Sequence, residues 1–204
     1  HWQASATQKT IAPCESRMCP KIFLVDPLVG RQFSYEQLLA DVCAQRLTAV
    51  ETSAAESSCY ELLASLLGAI ARGSRVAITS NGTCDSQRTA AEVQTPTSDL
   101  TDDSQISWLW TDKDWCDRVQ STQAQIGIHT SGTTTEPRLV YHSLESLVRA
   151  VRRGPRHADD VWGLCFDPAK FAGLQVVFQA VCNQNPLVRL YGLETNEIAQ
   201  SIEE

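Results

Sequence analysis

Short apolar segments alternate with longer amphipathic segments from Lys21 to the end of the chain. The segment KIFLVD, residues 21–26, is as short and apolar as a buried strand. The segment FSYEQLLADVCAQ, residues 33–45, repeats its apolar residues every three to four positions, as an amphipathic helix does. Further segments of strand character are RVAITS, QIGIH, PRLVY, DVWGLCF and PLVRLYG. This alternation predicts an α/β fold in which crossover helices connect the strands of a sheet.

Two of the predicted helices begin with capping boxes, in which a serine and a residue three positions later bond each other's backbone N–H groups. The two pairs are Ser34 with Gln37 and Ser58 with Glu61. The helix that starts after Ser58 is expected to end at Gly73, because glycine readily takes the positive φ angle found after a helix C-terminus. These signals predict where both helices start and where the second one stops.

The alternation ends on a helix that begins near residue 195, with no strand predicted after it. A crossover has been started and not completed, so we expect the sheet to be incomplete at its C-terminal end. Residues 1–20 have no apolar period and are expected to form a flexible lead-in. Residues 21–204 are then one subdomain, interrupted at 80–104 by a polar, acidic stretch that we expect to be a long surface loop.

The distribution of charge argues against several classes of function. The net charge of -7 disfavours a nonspecific nucleic-acid-binding protein, because phosphate contacts need a basic surface. The basic cluster VRRGPRH, residues 151–157, is predicted to be a solvated helix C-terminus. No apolar run approaches the roughly 20 residues that a membrane-spanning helix needs. We therefore expect a protein without a nucleic-acid partner and without a membrane span.

The eight cysteines are spread over predicted helices and strands, and none forms a C-x-x-C pair. Such spacing favours neither a disulfide framework nor a zinc site. We expect free cysteines that pack as small apolar residues, and no metal site. Free thiols in turn predict a reducing compartment, the cytoplasm.

Residues 129–143, HTSGTTTEPRLVYHS, place a loop rich in hydroxyl groups between two strand-like segments. Hydroxyl and backbone N–H groups in such a loop suit the oxygens of a phosphate, and Arg138 could add a bidentate contact. The stretch lacks the P-loop pattern, and Gly132 stands without the other glycines of a dinucleotide fingerprint. An ordinary polar turn, in which serine and threonine are common, is the alternative.

The order of residues in this loop, TSGTTTEPRLV at 130–140, resembles the phosphate-binding signature of the adenylate-forming enzymes, which reads T-S-G-T-T-G-x-P-K-G-V. This superfamily comprises acyl-CoA synthetases, aryl-acid ligases and peptide-synthetase adenylation domains. Seven of the eleven positions agree, whereas Thr135, Arg138 and Leu139 replace a glycine, a lysine and a glycine. The segments 33–45, 59–80 and 166–188 are similar to further motifs of the superfamily, so the resemblance extends over most of the chain.

The resemblance implies that the chain is the N-terminal subdomain of an AMP-binding domain. Enzymes of this kind use ATP and Mg²⁺ to activate a carboxylic acid as an acyl-adenylate. They then transfer the acyl group to a thiol, either of coenzyme A or of the phosphopantetheine on a carrier protein. This chain would supply the phosphate-binding lobe, and it would be inactive without the C-terminal portion of the enzyme, present in cis or in trans.

The resemblance also implies which residues form the site. The ATP phosphates would be bound by Thr130, Ser131, Gly132, Thr133, Thr134, Thr135 and Arg138, with a hydroxyl of Thr133 or Thr134 near the Mg²⁺. The edge of the substrate pocket would be formed by Lys170, Phe171 and Gly173, where Lys170 stands in the place of a common histidine. A lysine whose stem lies along a helix start, and close helix packing at the other two, are the structural alternatives. No catalytic residue is assigned.

The departures from the signature leave a second interpretation open. Thr135 has a β-branched side chain where the superfamily has a flexible glycine. Arg138 keeps the charge of the lysine but has a different reach and geometry. A non-catalytic or truncated relative that binds a nucleotide or a partner protein fits these changes. A third interpretation, an unrelated phosphate-binding α/β protein, would make the flanking similarities a coincidence.

Overall fold

A computed structural model of the chain describes residues 20–44, 58–78, 84–85, 104–111, 113, 115–129 and 138–203. The described residues form two four-stranded sheets, which confirms the α/β class, although the strands are divided between two mixed sheets. The strands are β1 (Ile22–Asp26), β2 (Arg31–Ser34), β3 (Arg75–Ile78), β4 (Cys84–Asp85), β5 (Gln125–His129), β6 (Leu139–Ser143), β7 (Trp162–Leu164) and β8 (Leu187–Arg189). The helices are α1 (Tyr35–Ala44), α2 (Cys59–Ala71), α3 (Ser104–Thr111), α4 (Trp115–Ser121), α5 (Leu144–Val148), α6 (Phe171–Val181) and α7 (Thr195–Glu203), with a short 3₁₀ helix at Pro155–His157.

Sheet A has the strand order β2-β1-β8-β7. Strand β8 is parallel to both β1 and β7, so the carboxyl ends of these three strands lie at one edge of the sheet. We call this edge, with the residues that directly follow the three strands, the carboxyl edge of sheet A. Strand β2 was not predicted from the sequence. It forms an antiparallel hairpin with β1 through a turn that ends at Gly30, where φ is +62°.

Sheet B has the order β4-β3-β5-β6, with β3 parallel to β5 and both edge strands antiparallel to their neighbours. The apolar segment QISWLW, residues 105–110, forms part of helix α3 and not a strand. Most of the predicted surface loop at 80–104 is outside the described residues. Within it, the two residues of β4 pair with β3.

Both predicted helix starts are confirmed. The Ser58 hydroxyl accepts a hydrogen bond from the Glu61 N–H at 3.2 Å, and the Glu61 carboxylate accepts one from the Ser58 N–H at 3.1 Å. The Ser34 hydroxyl accepts from the Gln37 N–H at 3.1 Å. Helix α2 ends before Gly73, where φ is +64°. Helix α2 is deeply buried, since ten of its thirteen residues are buried.

The basic segment at 151–157 is solvated in part, as predicted, since Arg152 and Arg156 are exposed, but it lies beyond the end of α5 at Val148 and Arg153 is partly buried. The guanidinium of Arg153 donates hydrogen bonds to the carbonyl oxygens of Trp110, at 2.9 Å, and Cys182, at 3.0 Å. It also lies 5.1 Å from the ring centroid of Trp115. Arg153 therefore connects α3, α4 and the end of α6, and its role is structural.

Candidate functional site

Strands β5 and β6 hold the two ends of the predicted phosphate-binding loop. His129 at the end of β5 pairs with Leu139 at the start of β6, in a ladder of five residue pairs. The loop therefore closes an antiparallel hairpin. Its predicted ligands Thr130, Ser131, Gly132, Thr133, Thr134 and Thr135 lie outside the described residues. Arg138 is described, and it is exposed at the start of β6.

One face of β6 packs tightly on β5. A Cβ atom added to Gly127 would lie 2.8 Å from Tyr141 Cε1 and 3.0 Å from Leu139 Cδ1. The guanidinium of Arg75 lies 3.6 Å from the centroid of the Tyr141 ring. Leu139, which replaces a glycine of the signature, thus covers a glycine of the neighbouring strand. Alternate residues of a strand point to opposite faces, so Val140 and His142 lie on the other face of β6.

The second face of β6 meets the start of α6. The rings of His142 and Phe171 have centroids 5.1 Å apart and are tilted by 56°. This contact connects sheet B, which contains His142, with the helix that follows the edge strand β7 of sheet A. It brings the predicted pocket residue Phe171 next to the hairpin that carries the predicted phosphate loop.

Lys170 and Gly173 lie in the same first turn of α6. Lys170 is the N-cap residue, its side chain is exposed, and it makes no capping hydrogen bond. A cation at this end of a helix is unfavourable toward the helix dipole, and lysine has no oxygen with which to cap. Gly173 is buried, and a Cβ there would clash with the carbonyl of Asp167 and lie 2.9 Å from that of Phe166. Gly173 therefore has a clear packing role.

Five of the six large apolar side chains that are exposed in the described part of the chain lie at the carboxyl edge of sheet A, on β6 or in α6, whereas the sixth, Val161, precedes β7. Among the described residues, Leu28 and Val29 follow β1 at the carboxyl edge of sheet A, and Phe166 follows β7 there with 57% of its surface exposed. Phe171 is 38% exposed and Val140, on the adjoining β6, is 40% exposed. Ligands of open α/β sheets usually bind beyond the carboxyl ends of the strands, and exposed apolar patches mark binding surfaces. This surface suits a ligand with an apolar part.

A buried ion pair underlies the carboxyl edge and was not predicted from the sequence. The Arg189 Nη1 atom of β8 donates to the Asp26 Oδ2 atom of β1 at 3.0 Å, and Asp26 is fully buried. The other Asp26 oxygen accepts from the Leu28 N–H at 3.2 Å. The available signal was a charged residue ending each of two apolar strands, but sequence alone does not show that those strands are neighbours.

Cys59 lies close enough to this ion pair and to Tyr191 for all three groups to influence its thiol. Burial raises the pKa of the Cys59 thiol to about 11, since a thiolate would lose its hydration there. The thiol is therefore neutral near pH 7 and is not a nucleophile. The described part of the chain contains no group of three or more histidine, cysteine or carboxylate side chains arranged to hold a metal ion. None of the described helices is long and apolar enough to span a membrane.

The fold is similar to that of the inhibitor-bound N-terminal domain of FACL13 from Mycobacterium tuberculosis. The TM-score is 0.53, the sequence identity is 16%, and the match covers 90% of this chain and 56% of that chain. A fatty acyl CoA synthetase of Mycobacterium tuberculosis matches at a TM-score of 0.45 and 15% identity, over 90% of this chain and 44% of that one. No protein-family model and no curated protein matches the sequence. The protein thus shares the fold of the FACL13 N-terminal domain and spans about half the length of that chain.

Proposed function

We propose that this protein is the N-terminal, phosphate-binding lobe of an ATP-dependent ligase that activates a carboxylic acid as an acyl-adenylate. The acyl group would then pass to a thiol, of coenzyme A or of a carrier-protein phosphopantetheine. The observation that carries the proposal is the likeness of the fold to the FACL13 N-terminal domain, which accompanies a signature-like sequence between β5 and β6. A fold likeness alone would not support an activity, because one fold can host many functions.

In the proposed reaction, a carboxylate oxygen attacks the α-phosphorus of ATP and pyrophosphate leaves. Negative charge on the phosphates must be matched by hydrogen-bond donors that are held in position beforehand. The hydroxyl and N–H groups of residues 130–135, together with Arg138, have the chemistry of such donors. The hairpin supports this role, because the pairing of His129 with Leu139 holds the two ends of the loop together.

The exposed apolar surface supports binding of the carboxylic acid. Phe171 and Val140 would contact the apolar part of the acid, and His142 would hold the Phe171 ring in place. Lys170 would bind an anionic group of the substrate. This role would account for a lysine at an N-cap position where its side chain makes no capping hydrogen bond. Gly173 would shape the edge of the pocket only indirectly, because its lack of a side chain lets the backbone of Phe166 and Asp167 lie close to α6.

Equilibrium binding of Mg·ATP, measured by calorimetry, tests the loop. We expect measurable binding to the wild-type chain and at least a tenfold loss in the Thr133→Ala/Thr134→Ala variant, since each hydroxyl bonded to a charged group contributes about 1.5–3 kcal/mol. Thr195→Ala, at the start of α7, is the matched control and should bind as the wild type does. Equal binding by the double variant and the wild type would contradict the assignment of the loop.

Exchange of pyrophosphate into ATP by the complete enzyme, in the presence of a panel of carboxylic acids, tests the reaction. We expect exchange that depends on one class of acid and is abolished by the same double substitution. A second function is nucleotide binding without turnover. It is favoured by Leu139, which stands in place of a glycine of the signature and packs over Gly127. Binding of Mg·ATP without exchange for any acid would select this second function.

A further inference from the structure

A cleft of about 390 Å³ lies on the molecule between β2, α1 and the start of α2. It has no residue in common with the carboxyl edge of sheet A or with the β5–β6 hairpin. Its volume is within the range of sites for small organic ligands, roughly 300–1,000 Å³. The proposed function makes no use of it, and among its lining residues Ser58 and Glu61 form the capping box of α2.

The floor of the cleft is aromatic and rigid. The Phe33 and Tyr60 rings are stacked with their centroids 3.9 Å apart and their planes within 6°. Both residues are buried, and Phe23 also meets Tyr60 edge to face at 6.3 Å. Because the rings stack on each other, only the small part of them that lines the cleft could contact a ligand, and that part is held rigidly by the stack.

Charged side chains of both signs line the cleft. Asp41 and Glu61 are the carboxylates, and Arg31 supplies a guanidinium. Among the described residues, no ion pair joins Arg31 to either carboxylate, and the contact of its guanidinium is with the Phe33 ring at 4.8 Å. A cation and an anion that line one cleft without pairing can each bond a different charged group of one ligand.

Tyr60 holds the Asp41 carboxylate in a fixed orientation. The Tyr60 hydroxyl donates to Asp41 Oδ2 at 2.6 Å, which leaves the Oδ1 atom with no described protein partner. Burial, and then the hydrogen bond to Asp41, raise the pKa of Tyr60, so the hydroxyl remains a donor over the physiological range. The hydrogen bond from Tyr60 therefore directs the second oxygen of Asp41 away from Tyr60 as an acceptor for a ligand cation.

We propose that this cleft binds a small zwitterion of the amino-acid type. The ligand ammonium would bond the free oxygen of Asp41, and its carboxylate would bond the Arg31 guanidinium. Its side chain would meet the small part of Phe33 and Tyr60 that lines the cleft. Opposite charges presented from β2 and α1 at one cleft match an α-amino acid, whereas a simple amine would leave Arg31 unmatched and a simple acid would leave Asp41 unmatched.

Calorimetric titration of the full chain with L-leucine, beside two analogues that each lack one charge, tests the proposal. The analogues are 4-methylpentanoate, which lacks the ammonium, and 3-methylbutylamine, which lacks the carboxylate. We expect L-leucine to bind at least about tenfold more tightly than either analogue. Equal affinity for L-leucine and one analogue, or no binding of L-leucine at millimolar concentration, would overturn the proposal.

Two substitutions distinguish the orientation from general attraction by charge. Arg31→Gln should weaken L-leucine binding about tenfold and leave the amine unchanged, whereas Asp41→Asn should weaken L-leucine similarly and leave 4-methylpentanoate unchanged. Asp117→Asn and Arg156→Gln make the same charge changes at exposed positions outside the cleft and serve as controls. If L-leucine binds both cleft variants as it binds the controls, its site lies elsewhere and the proposal is wrong.

Discussion

Gly173 allows the first turn of α6 to lie against the backbone that leads into it. The nearest groups to a Cβ at this position are the carbonyls of Asp167 and Phe166, and neither belongs to a flexible side chain. The same turn contains Lys170 and Phe171. The close packing of α6 on the preceding backbone therefore sets where these two other predicted pocket residues lie. At the scale of single residues, the absence of a side chain at Gly173 thus fixes where the start of α6 can lie.

Gly173→Ala is expected to lower the free energy of unfolding by about 1–3 kcal/mol, because the backbone must move to admit a methyl group. Urea denaturation monitored by circular dichroism measures this change. The neighbouring exposed position provides the control, and Ala172→Ser should change stability by less than about 0.5 kcal/mol. Wild-type stability in Gly173→Ala would show that α6 is free to shift.

Stability is expected to fall at alkaline pH because of buried thiols. Burial raises the pKa of Cys59 from its ordinary value of 9.0 to about 11, and that of Cys182 to about 12. Above pH 9 the folded state therefore retains protons that the unfolded state releases, so the free energy of unfolding decreases as pH rises toward 11. Below pH 9 these thiols make no pH-dependent contribution.

Urea denaturation at pH values from 8 to about 10.5 checks this expectation. Cys182→Ala should make the alkaline loss of stability less steep, because its thiol is buried and no longer titrates. Cys116→Ala should leave the slope unchanged, since Cys116 is exposed. An identical slope in all three proteins would show that the buried thiols do not govern the alkaline decrease.

At the scale of elements, the site depends on how β6 meets α6. Strand β6 belongs to sheet B, and α6 follows strand β7 of sheet A. The contact between His142 and Phe171 is where the two meet. The hairpin would carry the phosphate loop, and the helix start would carry the pocket edge. Their mutual position therefore decides whether the two halves of the proposed site can act on one substrate.

A double-mutant cycle of His142→Ala and Phe171→Ala measures this contact. We expect a coupling energy of about 0.5–1 kcal/mol in urea denaturation, at the lower end for ring pairs because Phe171 is partly exposed. We also expect weaker Mg·ATP binding in His142→Ala, through displacement of the hairpin. As a control, Arg156→Gln and Phe171→Ala should give stability changes that simply add. Additivity in the His142–Phe171 cycle would contradict the proposed connection.

At the scale of the whole molecule, sheet A joins the two ends of the described chain. Its central strands are β1, from the first part of the sequence, and β8, from the last part. The ion pair of Asp26 with Arg189 connects residues 163 positions apart. The Tyr35 hydroxyl likewise donates to the carbonyl of Asn185 at 2.9 Å. Folding of this sheet therefore requires contacts between segments that are distant in sequence.

Asp26→Asn is expected to lower the free energy of unfolding by about 3–5 kcal/mol, because the Arg189 charge would remain inside without its partner. Thermal and urea denaturation both report this loss. Asp26→Leu combined with Arg189→Met removes both charges and should recover most of the stability. If Asp26→Asn is as stable as the wild type, the pair does not hold the sheet together.

The sequence by itself determined the local structure of this protein. Periodicity and capping residues predicted α1, α2 and their starts at Ser34 and Ser58, because these signals act within one helical turn. The α/β class was predicted from the alternation of strand-like and helix-like segments. The fold likeness to the FACL13 N-terminal domain agrees with the family resemblance that the loop sequence suggested. The roles of Thr133, Thr134 and the other predicted ligands remain predictions.

Only the tertiary structure decided how the elements are arranged. It divided the strands between two sheets, added β2 as an edge strand, and made Arg153 a structural side chain. It also brought Asp26 to Arg189 and His142 to Phe171. The physical reason is that strand pairing and burial depend on which distant segments become neighbours. A local pattern of residues does not specify those long-range contacts.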